Sequence, residues 1–346
     1  MVFGYVLTSN KGDYGMWFQT LTGFEEHSSE QVRKNLSLNG DVLTSRVNGN
    51  EFVCGSLEIP TLAELRNRVL LSEGYTGKLT IREVIADVQH LHVNKTNAGS
   101  LFQVASQFNL LEMISPEITP EQGISGYEYD RTQGPACAVA AGSGTIYRNY
   151  FVPINGQMGQ SADHQIDCLD EVGKALGNTK NRLWVMKNGY ALLSEKGLKE
   201  ISKQLLSSSE SERDELRKLL RIGIQWHTEV TISKTRHKVT QAYCSALPVS
   251  YLHYSTELWT EFAQLILEAT YEATICTGIL NSIQNGNNKV YLTLIGGGAF
   301  GNKQEWIINA IQRSLNLYKH AALDVAIVCY GQSKKSIKQL IDQFES

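Results

Sequence analysis

The alternation of apolar and polar positions predicts strands and helices that follow one another along the C-terminal third of the chain. A strand-like segment over residues 241–251 precedes a long apolar helix over residues 255–280. A second strand runs from Tyr291 into a glycine-rich stretch, which is followed by a helix and by a further strand over residues 324–330. Strands that alternate with helices are typical of layered α/β folds.

The pattern in the first seventy residues is weaker. Residues 2–8 are predicted to form a short strand and residues 29–36 a short helix. Leu62, Leu65 and Val69 lie at the spacing of one helical face. This region therefore contributes at least one amphipathic helix.

The stretch from residue 88 to residue 152 carries several short signals. Alternation over residues 88–94 predicts a strand end, and a helix with apolar positions between 101 and 108 is predicted after the turn at Gly99. The small residues at 136–144 allow close packing or close approach of a ligand, and they precede a predicted strand over residues 145–152.

A helix is also predicted from Ser161, and it would place three acidic side chains on one side. Asp163, Asp167 and Asp170 fall within one sector at the helical period. They are either solvated acids at a helix start, which the helix dipole favours, or they line a pocket. In a pocket their mutual repulsion would raise one pKa and supply a general acid or base.

The chain between residues 177 and 253 is predicted to hold an insertion. A hairpin over residues 182–193 turns at Asn188 and Gly189, and a helical segment over residues 198–220 is broken by a polar run. Strands over residues 222–232 and 238–247 follow.

We expect one domain over residues 1–346, with an N-terminal extension at 1–50 and an insertion region at 177–235. The insertion covers the functional site, binds a protein partner, or is an inert surface elaboration.

Composition narrows the class of protein. A content of 42% hydrophobic and 19% charged residues is that of an ordinary globular chain, and a net charge of −3 disfavours nucleic acid or an anionic membrane as the main partner. Six cysteines without Cys-x-x-Cys spacing predict buried free thiols, with neither a zinc site nor disulfides. With no signal-like N-terminus and no long apolar run, a cytoplasmic protein is expected.

The most distinctive motif is a glycine loop between a strand and a helix, within residues 291–302. Its glycines permit positive φ and close approach of a ligand, and free N–H groups at a helix start favour anions. Its spacing is neither that of a Walker motif nor that of a dinucleotide-binding loop. A diphosphate site is one interpretation, and a tight strand-to-helix turn is the other.

The order of long helix, strand, glycine loop and helix resembles the C-terminal half of a macrodomain, a fold that binds ADP-ribose. The resemblance implies a three-layer α/β/α fold with a mixed central sheet and with helical and hairpin insertions. In that family the equivalent loop wraps the diphosphate, and its aromatic residue, here Phe300, lies against the distal ribose. By resemblance, the loop residues that bind ADP-ribose are Gly296, Gly297, Gly298, Ala299, Phe300, Gly301 and Asn302.

The same resemblance implies a polar wall for the ribose. Amide side chains suit ribose hydroxyls because they both donate and accept hydrogen bonds. The candidates outside the loop are Asn97, Gln107, Asn109, Gln133, Gly134 and Gln160. The alternative is that these polar residues lie on a solvated helix face.

Residues 97–168, 237–251 and 292–302 together are similar to the MavL-type group of divergent macrodomain hydrolases. That similarity implies hydrolysis of the N-glycosidic bond between ADP-ribose and a protein arginine, with ubiquitin as a candidate substrate and with neither metal nor cofactor. A carboxylate would stabilise the oxocarbenium-like state, as in glycosidases. Asp167 is the first candidate for this carboxylate and Asp130 the second.

Two other functions agree with the same residues. A non-catalytic ADP-ribose reader would keep the glycine loop and use the acidic cluster for structure alone. A scaffold would bind a protein through residues 198–220 and retain only a vestigial pocket.

Overall fold

The structure is a computed structural model that describes residues 17–345. The strand predicted at residues 2–8 lies outside the described residues. The helices are α1 (Trp17–Thr22), α2 (Ser29–Asn35), α3 (Leu62–Leu70), α4 (Val88–Val93), α5 (Gln133–Ala140), α6 (Gly142–Tyr150), α7 (Asp170–Leu176), α8 (Glu195–Ser207), α9 (Glu210–Lys218), α10 (Thr256–Asn285), α11 (Gln304–Leu317) and α12 (Lys335–Glu345). The strands are β1 (Leu36–Asn39), β2 (Val42–Ser45), β3 (Glu51–Val53), β4 (Ser56–Glu58), β5 (Thr80–Ile85), β6 (Leu101–Ala105), β7 (Pro153–Ile154), β8 (Gln157–Met158), β9 (Trp184–Lys187), β10 (Tyr190–Leu193), β11 (Gly223–Glu229), β12 (Lys238–Cys244), β13 (Lys289–Leu292) and β14 (Asp324–Cys329).

The central sheet has seven strands in the order β4-β11-β12-β6-β13-β14-β5. The last five strands in that order are parallel, whereas β11 is antiparallel to both of its neighbours. The mixed central sheet that the sequence predicts is therefore confirmed.

Helices cover both faces of this sheet. Side chains alternate between the faces along each strand. In β6, Gln103 donates a hydrogen bond to Thr274 of α10, while its neighbour Phe102 stacks on His92 of α4. The α10 layer and the layer that contains α4 therefore lie on opposite sides of the sheet, and the predicted three-layer α/β/α arrangement is confirmed.

The main hydrophobic core lies between the sheet and α10, a helix that is buried over most of its length. A helix that is apolar nearly all round is stable only inside a protein. The neighbouring helices α3, α8 and α11 pack against α10. No helix within residues 17–345 is long and apolar enough to span a membrane.

The segment before β4 forms a smaller layer with its own core. Strands β1, β2 and β3 make an antiparallel sheet, and Phe18 and Leu43 pack with Ile146 and Tyr150 of α6. The helix predicted at residues 29–36 is confirmed as α2, whose N-cap Ser28 accepts a hydrogen bond from the N–H of Gln31.

The predicted order of elements between residues 88 and 108 is wrong. Residues 88–93 form a helix that begins at the N-cap Asp87, and Leu101–Ala105 form a strand at the centre of the sheet. Four of the five strand residues are fully buried because helices cover both faces. A short run that is apolar on both sides does not show a strand period and cannot be told from a buried helix.

Residues 133–150 form two helices, where the sequence predicted a strand over residues 145–152. The expectation of close packing does hold. A Cβ atom on Gly134 would lie 1.8 Å from the carbonyl oxygen of Ala105, and one on Gly144 would lie 2.8 Å from Oγ1 of Thr228. These glycines let α5 and α6 lie directly on the sheet.

The insertion follows the predicted order. The hairpin of β9 and β10 turns at Asn188 and Gly189, whose φ values of 46° and 81° suit a type I′ turn. Helices α8 and α9 come next. The predicted insertion region at 177–235 also contains β11, which is a strand of the central sheet. The six cysteines are free and buried, as predicted.

Candidate functional site

A cleft lies at the carboxyl ends of the adjacent strands β12, β6 and β13. Its cavity volume is about 170 Å³, and the cleft is open to solvent on one side. Open α/β sheets bind ligands at this edge. Its walls are formed by residues 105–107, 112–114, 130 and 132–135, by Tyr190, and by the loops after β12 and β13.

The glycine loop after β13 offers three consecutive free amide groups. The N–H groups of Gly298, Ala299 and Phe300, which all line the cleft, have no acceptor among residues 17–345. Gly296 and Gly301 turn the chain with φ values of 73° and 69°. Successive free N–H groups in such a turn form a nest that binds the oxygens of an anion.

The glycine loop is held in place from within the protein. The side-chain amide of Asn302 donates to the carbonyl of Leu247 at 2.8 Å, and its backbone N–H donates to Gly296 at 2.9 Å. The N–H of Ser250 donates to the carbonyl of Phe300 at 3.0 Å. The loop therefore has its shape without a ligand.

The loop that follows β6 turns back and carries Glu112 to the cleft. Leu110 has a φ of 64°, which costs free energy in a residue with a Cβ atom. Its carbonyl oxygen accepts a hydrogen bond from Nε of Arg148 at 3.1 Å. The N–H of Glu112 donates to the hydroxyl of Tyr127 at 2.9 Å. Contacts from two helical segments thus stabilise a strained turn.

Glu112 is a buried carboxyl without a hydrogen-bond partner. Its side chain is 1% exposed, and neither carboxyl oxygen has a partner within the part of the chain that the structure describes. Burial raises the pKa of Glu112 to about 8, and the positive charge of Arg148, 3.9 Å away, opposes that rise. At neutral pH the group is mostly protonated and can donate its proton.

Aromatic side chains form another wall of the cleft. The rings of Tyr190 and Tyr251 have centroids 5.2 Å apart, and each lies within 5.7 Å of the Phe300 ring. The hydroxyl of Tyr190 donates to the carbonyl of Met113 at 2.6 Å. Because Tyr190 belongs to β10, the inserted hairpin contributes directly to the cleft.

Just over half of the residues predicted to form the site line this cleft. Those that line it are Gln107, Asp130, Gln133, Gly134, Gly296, Gly298, Ala299 and Phe300. Those that are not part of its lining are Asn97, Asn109, Gln160, Asp167, Gly297, Gly301 and Asn302.

Several predicted polar residues support the cleft walls through hydrogen bonds within the protein. The side-chain oxygen of Gln107 accepts from the N–H of Met113 at 2.8 Å. Gln133 accepts from the N–H of Ala105 at 2.9 Å, and Gln160 donates to the carbonyl of Asn109 at 2.9 Å. Their amide groups therefore brace the loops, a role that sequence alone does not distinguish from ribose binding.

The expectation for Asn97 has to be corrected. It precedes β6 and so lies at the amino end of the strand, whereas the cleft lies at the carboxyl end. Its side chain donates to the carbonyl of Leu91 and accepts from the hydroxyl of Tyr291 at 2.7 Å. The error follows from the inverted assignment of strand and helix in this region.

The acidic helix face predicted around Asp167 does not form. The helix begins at Asp170, so Asp163 and Asp167 lie in irregular chain before it. Asp167 accepts a hydrogen bond from the N–H of Leu169 at 2.8 Å, and burial raises its pKa to about 6. Asp130 does line the cleft, and it accepts from the N–H of Thr132 at 2.8 Å.

Sequence reasoning missed Glu112. The available signal was a single acidic residue that follows Leu110 and Leu111 and precedes Met113. A charged residue within an apolar run is rarely buried unless it has a partner. Only the turn at Leu110 brings it to the cleft.

Comparison with protein-family models gives no match, and neither does comparison with curated proteins. Among solved structures, the chain is similar to poly(ADP-ribose) glycohydrolase from Thermomonospora curvata, with a TM-score of 0.46, 9% identity, and coverage of 91% of this chain and 95% of that one. It is also similar to poly(ADP-ribose) glycohydrolase from Deinococcus radiodurans in complex with ADP-ribose, with a TM-score of 0.42, 8% identity, and coverage of 84% and 93%. Since both TM-scores are below 0.5, we infer the function from the residues of the cleft.

Proposed function

We propose that this protein binds ADP-ribose in the cleft and hydrolyses the N-glycosidic bond that joins it to a protein arginine. The observation that carries the proposal is Glu112, a buried carboxyl that has no hydrogen-bond partner among the described residues and lines the cleft together with the free amides of the glycine loop. The carboxyl group of Glu112 supplies a proton donor, and the amides of the glycine loop supply a site for an anion.

The glycine loop is proposed to hold the diphosphate. The N–H groups of Gly298, Ala299 and Phe300 are consecutive and free, and hydrogen bonds to a charged acceptor are about twice as strong as neutral ones. Phe300 would then lie against the ribose next to the diphosphate. Binding energy from these remote groups orients the anomeric carbon for reaction.

Glu112 is proposed to act first as an acid and then as a base. As the bond between the anomeric carbon and nitrogen breaks, its electron pair leaves with the guanidine, which takes the proton of Glu112. The resulting carboxylate stabilises the oxocarbenium-like carbon and removes a proton from the attacking water. One water is consumed, Glu112 is protonated again, and ADP-ribose and arginine are released.

The charge of the site supports a cationic leaving group. Asp130 lines the cleft, so a cationic guanidinium would meet an acidic side chain on entry. ADP-ribosylated ubiquitin is the protein substrate to test first.

The test is mass spectrometry of peptides that carry ADP-ribose on arginine, serine or glutamate, after incubation with the protein. We expect release from arginine, and we expect Glu112→Gln to lower turnover by about 100-fold or more while leaving ADP-ribose affinity nearly unchanged. Asp170→Asn is the control, because Asp170 is exposed and pairs with Lys174.

Two further variants distinguish the carboxyl groups. If Asp130→Asn or Asp167→Asn abolishes turnover while Glu112→Gln does not, the catalytic role belongs to that aspartate. If wild-type protein binds ADP-ribose in calorimetry but releases none from any peptide, it is a reader and not a hydrolase.

A further inference from the structure

Arg148 of α6 is a wholly buried cation behind the cleft. Its side chain is 0% exposed, and it holds one position through three contacts. Nε donates to the carbonyl of Leu110 at 3.1 Å, and Nη2 donates to Oγ1 of Thr145 at 3.0 Å. The guanidinium carbon lies 3.5 Å from the centroid of the Tyr243 ring.

The ion pair between Arg148 and Glu112 is incomplete. The closest nitrogen–oxygen distance is 3.9 Å, and Nη1 of Arg148 and both oxygens of Glu112 have no hydrogen-bond partner within residues 17–345. A buried charge without a hydrogen-bonded counter-ion is costly. Because Glu112 becomes a counter-ion only when it loses its proton, the arrangement favours the release of that proton.

Among residues 17–345, the other titratable groups that couple electrostatically to Glu112 are neutral at physiological pH. They are Tyr127 before α5, Cys137 of α5 and Tyr243 of β12. Burial raises the pKa of each of these side chains above its ordinary value. Of the groups that act electrostatically on Glu112, Arg148 therefore supplies the charge.

We propose that Arg148 is a positioning residue that holds the strained loop at Leu110 and makes the proton of Glu112 transferable. The catalytic meaning of this inference rests on the proposed function, but the coupling of the two side chains does not need a substrate. Without the positive charge, Glu112 would keep its proton to a higher pH and would donate it less readily.

The test is a titration of Glu112 by carbon-13 NMR in protein labelled at its glutamate carboxyl groups, with Glu112→Gln used to assign the signal. In Arg148→Gln, which keeps a donor but loses the charge, we expect the midpoint to rise by about one pH unit or more. In Arg148→Lys, which keeps the charge, we expect it to stay within about half a unit of wild type.

Equal midpoints in wild type and Arg148→Gln would overturn the proposal. If Arg148→Gln does not fold, Arg148→Met offers a second uncharged side chain of similar length. A wild-type midpoint at the ordinary value of an exposed glutamate would overturn the proposal without any variant.

The pH profile of hydrolysis separates this inference from the proposed function. We expect the alkaline limb of the profile to move upward with the Glu112 midpoint in Arg148→Gln, whereas a purely structural role would lower activity equally at all pH values. Protein that shows the NMR shift but releases no ADP-ribose would refute the proposed function and leave the coupling established.

Discussion

Neighbouring glycines in the loop after β13 differ in what surrounds them. A Cβ atom on Gly297 would lie 3.0 Å from Cδ1 of Ile307, in the helix behind the loop. A Cβ atom on Gly298 would meet nothing within 4 Å, and Gly298 lines the cleft. At the scale of single residues, a side chain at Gly297 would therefore crowd the helix behind the loop, whereas one at Gly298 would enter open space in the cleft.

Substitution of these two glycines by valine gives opposite outcomes. We expect Gly298→Val to keep the wild-type unfolding midpoint and to weaken ADP-ribose binding by about tenfold or more, because its side chain occupies space beside the free amides. We expect Gly297→Val to destabilise the fold by about 1–3 kcal/mol through overpacking against Ile307. Calorimetry and thermal unfolding measure the two effects. Wild-type affinity in Gly298→Val would remove the loop from the site.

At the scale of elements, one buried carboxylate of α10 links this helix to α3 and α11. Glu272 of α10 is 2% exposed and accepts hydrogen bonds from Arg66 of α3 at 2.5 Å and from Arg313 of α11 at 2.6 Å. Arg66 also pairs with Asp214 of α9 at 2.7 Å. The network fixes the helices on the side of the sheet where α10 forms the core.

Removing the charge of Glu272 should therefore destabilise the protein strongly. We expect Glu272→Gln to lower the free energy of unfolding by about 3 kcal/mol, because two partly buried arginines lose their buried counter-ion and keep only Asp214. Arg182→Gln is the control, since Arg182 and Glu200 form a pair that is nearly half exposed, and we expect a much smaller loss. Urea unfolding gives both values. Similar small losses in the two variants would contradict the role of the network.

At the scale of the whole molecule, buried carboxyl groups make folding depend on pH. Burial raises the pKa of Glu112 to about 8, so between its ordinary value and pH 8 the folded protein holds a proton that the unfolded chain has lost. The stability that this proton contributes is fully present below the unfolded pKa and is lost as pH rises through the folded pKa. Asp167, with a pKa of about 6, acts in the same direction over a narrower window.

Wild-type protein should consequently lose stability between pH 5 and pH 9. Glu112→Gln removes the carboxyl group with the largest pKa shift. We therefore expect the free energy of unfolding of the variant to rise by on the order of 3 kcal/mol relative to that of wild type between pH 5 and pH 9. Urea unfolding at pH 5, 7 and 9 measures the difference. A difference that is independent of pH would show that Glu112 titrates normally in the folded protein.

Local signals along the chain were sufficient for the elements that each carry a strong pattern. The length and apolar character of α10, the Asn188–Gly189 turn of the hairpin and the glycine loop before α11 all follow from residues close in sequence. These features depend on helix burial, turn geometry and backbone freedom, which act over a few residues. They predicted the loop that lines the cleft, and their order along the chain carried the resemblance to macrodomains that implied the fold class.

Tertiary structure alone decided the rest. Strand β6 is buried on both faces, so its five residues show no strand period, and the helix and strand around Gly99 were predicted in reverse order. That reversal placed Asn97 at the wrong end of the sheet. Glu112 reaches the cleft only because Leu110 takes up a strained turn that Arg148 and Tyr127 stabilise from other parts of the chain. The carboxyl group best placed for chemistry thus depends on long-range contacts, which no local pattern records.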